Sequence, residues 1–140
     1  MTNSEKKAFL RRYGDNEREI KRLEEEITRW ESRAEKVTAS YSLAPAHGAD
    51  GDKVQVAVDN IAEVRAMLYD RLTDATELRR SIQAAIDTVE DARLRNLLAY
   101  RYIDGQRWEE VAVKLNVYWR HVLKLHGRAL SQIKFSKGIE

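Results

Sequence analysis

An all-α protein is expected, with a long antiparallel helical hairpin of coiled-coil character followed by a C-terminal helix-turn-helix domain. Three observations predict it. Apolar residues recur at alternating spacings of three and four through two long stretches, the signature of a helical stripe rather than a strand. Six Gly and one Pro in 140 residues, with 34% charged residues, suit long helices better than sheets. Nearer the C-terminus two shorter periodic stretches flank a break at "NVY". The expected division is a hairpin over 1–87, with a linker at about 38–53, and a helix-turn-helix domain over 88–140.

The first stretch runs from about Ser4 to Val37. Phe9, Tyr13, Asn16, Ile20, Leu23, Ile27, Trp30, Ala34 and Val37 form a heptad seam in which only Asn16 is polar. Charges such as those of "EREIKRLEEEI" suit its exposed faces. A helix of that extent is roughly 50 Å long and needs a partner surface to be stable. "TASYSLAPAHGADGDK" follows, with the only Pro and two Gly, and reads as a connection in which His47 is a loop histidine. The second stretch places Val54, Val58, Ile61, Leu68, Leu72, Ala75, Leu78, Ile82, Ala85 and Val89 on a seam, interrupted at Arg65. Its length matches the first. Matched lengths and a short connection favour a hairpin over a parallel dimer through each helix.

In the last third, Thr88 and Asp91 resemble a capping box. Leu94, Leu97, Leu98, Arg101 and Tyr102 continue a helix, and Gly105 offers a left-handed stop. "WEEVAVKL" makes a short helix, "NVY" a tight turn and "WRHVLKLHGRALSQI" a last helix. Val111, Ala112, Leu115, Val117, Val122 and Leu125 fit the buried positions of a helix-turn-helix. Asn116 stands where a left-handed residue is wanted. Tyr118, Trp119, Arg120, His121, Lys124 and Arg128 are left to reach outward.

Charge separates the regions. The net charge is +2, but residues 1–39 carry +1, 40–88 carry −3 and 89–140 carry +4. From Val111 to Ile139 there is no Asp or Glu. A basic, acid-free stretch is the electrostatic footprint of a nucleic-acid face, since acids there would repel phosphates. The expected partner is double-stranded DNA. No cysteine is present, which excludes disulfides and thiolate metal sites. No apolar run approaches the roughly 18 residues of a membrane span, and the first twenty residues lack a signal-peptide core. A cytoplasmic protein without a membrane partner is expected. His121 and His126 are five apart and do not share a helical face as a metal pair would. Glu109 and Glu110 are adjacent and point differently. No nucleophile elbow or phosphate loop is present. Neither an enzyme nor a cofactor or metal is expected.

The segment "LLAYRYIDGQRWEEVAVKLNVYWRHVLKLHGRAL" resembles region four of bacterial sigma factors, and is closer still to phage-encoded sigma-like regulators of the ArpU kind. The resemblance covers about residues 86–133, and the helical extension only in general character. It implies a DNA-binding transcription regulator of phage or prophage genomes, often of late genes. No segment resembles the sigma region that melts the promoter. Arg107 stands where a Ser or Thr cap is common, and Tyr118 and Trp119 where small polar residues usually open the recognition helix. On this reading Arg120 and Lys124 address base edges, and Lys114, Arg128 and Lys134 address phosphates. His121 shares the outward face. Tyr118 and Trp119 either touch sugars or thymine methyls, or Trp119 packs back on Trp108 or the hairpin. The hairpin is expected to form a homodimer or to contact RNA polymerase. Two alternatives stand beside this reading: a small-terminase-like DNA-packaging adaptor, and a coiled-coil interaction protein that binds no DNA.

Overall fold

The computed structural model describes residues 1–43 and 48–135. Every regular element among the described residues is helical, without a strand. The order is α1 (Asn3–Leu43), α2 (Gly48–Asp87), α3 (Ala92–Leu98), a π-helical turn (Ala99–Ile103), α4 (Trp108–Leu115) and α5 (Trp119–Gln132). The two long helices extend further than the expected connection at 38–53 allowed. Of that connection, 38–43 and 48–53 are helical. His47, assigned to the loop, lies outside the described residues.

The chain divides into two compact units, one of residues 1–16 and 75–140, the other of residues 17–74. This differs from the expected boundary at residue 87. The first turns of α1 and the last turns of α2 bury their apolar faces among the C-terminal helices. Phe9, Leu10, Ile82, Ala85, Ile86 and Val89 share one core with Leu97, Leu98, Tyr102, Val122 and Leu130.

In the unit of residues 17–74, Ile20, Leu23, Ala57 and Val64 are buried. Ile27, Trp30, Ala34 and Val37 on α1 are half-buried, as are Val54, Ile61 and Leu68 on α2. The α1 seam therefore falls where its heptads put it. The α2 seam does so at Val54, Ile61, Leu68, Ala75, Leu78, Ile82, Ala85 and Val89, but not at two positions. Val58 and Leu72 are exposed, and Ala57 and Val64 take the inward positions. A stripe through 54, 57, 61, 64 and 68 keeps the alternation of three and four and leaves Arg65 outside it. Arg65 instead pairs with Glu31 at 3.2 Å, and Arg71 pairs with Glu19 at 2.7 Å. Both pairs are largely solvent-exposed, and such pairs contribute about 0–1 kcal/mol each.

In the other unit, local chemistry sets each element. Asp91, not Thr88, is the N-cap of α3: its carboxylate accepts from the Arg93 backbone N–H at 2.9 Å. Thr88 instead donates to the Ala85 carbonyl and accepts from the Lys134 N–H, which ties the end of α2 to the segment after α5. The helix expected to run unbroken through Tyr102 changes to π form at Ala99, where the Asp104 N–H reaches back five residues to the Ala99 carbonyl. Gly105 then adopts φ +67, the left-handed stop that glycine takes without a Cβ penalty.

Candidate nucleic-acid interface

Three residues, Asn116–Tyr118, join α4 to α5. Asn116 caps α4 in the left-handed region at φ 55, ψ 49, and its N–H returns to the Ala112 and Val113 carbonyls. Asn tolerates this conformation better than other residues with a Cβ. Val111, Ala112, Val122 and Leu125 are buried, and Leu115 and Val117 pack at the edge of the same core. The side chain of Ala112 leaves room for α5, which packs against both α4 and α3.

Neither helix begins with a side-chain cap. Arg107 occupies the N-cap of α4 in extended conformation, and its guanidinium pairs with Glu110 at 3.1 Å. Tyr118 occupies the N-cap of α5 and is 88% exposed. The first amides of α5 are thus not occupied by a neighbouring hydroxyl or carboxylate.

All eight residues expected at the interface are exposed: Lys114, Tyr118, Trp119, Arg120, His121, Lys124, Arg128 and Lys134. Helical spacing sorts them. Val122, Leu125, His126, Ala129 and Leu130 define the buried side of α5. Arg120 and Lys124 lie opposite that side, one turn apart, with His121 and Arg128 on one flank; Trp119, three residues before Val122 and seven before His126, lies at the edge of the buried side. Lys114, on α4, holds its ammonium 4.7 Å from the centre of the Tyr100 ring. Lys134 is not brought to Arg120. It follows the far end of α5, about 20 Å along the helix axis. Trp119 is 49% exposed, while Trp108 has its own partners, the His126 ring at 4.5 Å and the Arg101 guanidinium at 4.7 Å.

Three groups that sequence reasoning missed fix the orientation of α5. Tyr102 Oη and His126 Nε2 form a buried hydrogen bond of 2.7 Å. Burial pushes the His126 pKa down to about 4, helped by the positive charges of Lys7, Arg101 and Arg11. Burial pushes the Tyr102 pKa up to about 12, against the opposing pull of Arg101 and Arg11. Both rings are therefore neutral at pH 7. Lys6 of α1 is the third. Its ammonium is buried and donates to the Leu130 carbonyl at 2.9 Å and the Ile133 carbonyl at 3.0 Å. A cation at the C-terminal end of a helix meets its carbonyls and the negative end of its dipole. Asn3 adds a bond to Ser131 at 3.1 Å, and Phe9 sets its ring edge-on to Phe135 at 5.2 Å. The π-helical turn aims Tyr102 at α5, which a regular helix read from the sequence does not foresee. Only the apolar character of Phe9 and Leu10 hinted that the start of α1 is buried.

Comparison with protein-family models, curated proteins and solved structures finds no match for this chain.

Proposed function

We propose that this chain is a sequence-specific DNA-binding transcription regulator of phage or prophage origin, acting by binding rather than catalysis. Its α4 and α5 serve as a helix-turn-helix similar to sigma region four, and α1 and α2 as an antiparallel helical hairpin. In this reading α5 enters the major groove. Arg120 and Lys124 reach base edges, while Lys114, Arg128 and Lys134 hold phosphates. The observation that carries the proposal is the outward side of α5. It presents Arg120, Lys124, Arg128 and His121 within a stretch that has no acidic residue from Val111 to Ile139. The core residues beneath it support the same reading, because they fix α5 against α3 and α4 and leave that side free.

The hairpin is the association element in this proposal, joining a second copy or RNA polymerase. Val58, Tyr69 and Leu72 stand exposed along one row of α2, which supports a protein partner there. The test is selection of bound duplexes from random DNA at about 50 mM salt, with the molar mass of the free protein measured alongside. The proposal expects one enriched motif and a mass of one or two chains. A ring-sized mass favours the packaging adaptor, and no retained DNA favours a coiled-coil interaction protein.

A further inference from the structure

Beside the charged side of α5 lies a second feature. Trp119, Leu123 and Gly127 follow each other at four-residue spacing along one flank of the helix. Trp119 is 49% and Leu123 40% exposed. Sequence reasoning gave Leu123 no role, because Val122 and Leu125 already account for the buried side. Together Trp119 and Leu123 leave an apolar strip about half open to solvent, next to the cations of the outward side.

Gly127 points the same way. It sits inside a 14-residue helix, where glycine is a poor choice relative to alanine. A Cβ built there meets no heavy atom within 4 Å, so packing within the chain does not demand a glycine. A Cβ at Gly127 would project into open space on that flank, in the path of anything that docks there.

The surroundings say what approaches. Arg120 and Lys124 lie alongside, and no acidic residue stands between Val111 and the last described residue, Phe135. An apolar strip beside Arg120 and Lys124 fits a polyanion that carries apolar groups at its reading surface. Duplex DNA does so in the major groove, where the thymine 5-methyl is the apolar group on the base edges. Resting on the DNA-binding proposal above, we infer that Leu123 and Trp119 read thymine methyl groups, and that Gly127 provides clearance for the duplex to close on this flank of α5. Arg120 and Lys124 then read the hydrogen-bonding edges beside those thymines. Specificity is divided between two neighbouring rows of one helix.

Removal of the methyl alone tests this. In the duplex enriched by the full-length protein, each thymine is replaced in turn by deoxyuridine, which keeps every base-pairing group. Burial of one methyl predicts an affinity loss of about three- to fivefold at one or two positions. Leu123→Ala should bind the thymine and uracil duplexes alike, with Trp119→Ala doing so at a neighbouring position. Both side chains are only about half covered, and thermal unfolding of each variant alongside the binding assay checks that it folds. Gly127→Ala should melt higher than the wild type and yet bind the duplex more weakly. The inference is overturned if every uracil substitution is neutral while one motif is still selected, an outcome that leaves the DNA-binding proposal intact. It is equally overturned if the uracil penalty survives in both alanine variants, or if Gly127→Ala binds as tightly as the wild type. Absence of any DNA binding at low salt overturns both proposals together.

Discussion

Lys6→Met removes the ammonium that holds the C-terminal end of α5 while keeping most of the aliphatic stem. In the wild type that ammonium donates to two carbonyls, of Leu130 and Ile133. A hydrogen bond involving a charged group contributes about 1.5–3 kcal/mol. The two together do not reach twice that figure, because the ammonium is buried and the variant is spared its desolvation. The carbonyls it leaves behind are at a helix end, where water reaches them once the head group is gone. A net loss of about 2–3 kcal/mol follows. For a domain of about 60–100 residues each kcal/mol moves the midpoint by about 4–8 °C, so the expected fall is about 10–20 °C. Thermal unfolding followed by far-ultraviolet circular dichroism reads it, with Lys21→Met as the control, since Lys21 is exposed. Lys6→Arg should lie between the two, because a guanidinium offers the charge in a different shape. A Lys6→Met midpoint within about 1 °C of the control refutes the reasoning: the start of α1 would then not be holding α5.

Three further outcomes are expected. Leu23→Asp buries an unpaired carboxylate where Leu23 is 1% exposed and should cost about 4 kcal/mol or more in urea titrations, whereas Leu72→Asp, at a half-exposed position, should cost less than about 1; equal losses would place both residues on one buried seam. The folded-state pKa of His126, about 4, lies below its ordinary 6.5. The unfolded chain thus binds the extra proton between those values, and stability is complete above pH 6.5 and falls as the pH drops toward 4. The loss between pH 7 and 5 should be about 1–2 kcal/mol, and it should shrink in His126→Gln; an unchanged slope in that variant would assign the dependence to other groups. Affinity for DNA should fall steeply with salt, and Arg128→Ala or Lys134→Ala should each flatten the log–log slope by about one unit, while a salt-independent affinity would contradict phosphate binding.

The all-helical class was legible because periodicity is a direct trace of which side is buried. Seam positions of α1 from Ile20 to Val37 fall on its inward face. Asn116 and Gly105 were legible for a different reason: few residues accept positive φ, so their chemistry marks the place. The register of α2 was harder. Val58, Tyr69 and Leu72 give that helix a second apolar row, and spacing alone cannot say which row faces inward. What remained hidden depends on contacts distant in sequence. Lys6 meets carbonyls 124 and 127 residues away. Nothing local distinguishes it from its neighbour Lys7. His126 read as an outlying member of a failed metal pair, because its partner Tyr102 comes from a π-helical turn that no local pattern announces. At the candidate interface, exposure of the eight side chains expected there followed from the buried positions between them. Leu123 has no role in the sequence pattern because Val122 and Leu125 already fill the buried side, and its partial exposure is visible only in the structure.

The central claim is that α5 reads bases and does not merely attract phosphates. Arg120 lies opposite the buried side of α5, with Lys124 one turn beyond it, so the pair can address adjacent base pairs. A bidentate contact from Arg to guanine discriminates by about 1–3 kcal/mol, or roughly 5- to 150-fold. The most direct test measures the binding of Arg120→Ala and Lys114→Ala to the selected duplex and to a random duplex of equal length, at one salt concentration. The account expects Arg120→Ala to lose at least about fivefold more affinity for the selected duplex than for the random one, and Lys114→Ala to lose the same factor on both. Equal losses for Arg120→Ala on the two duplexes would contradict it.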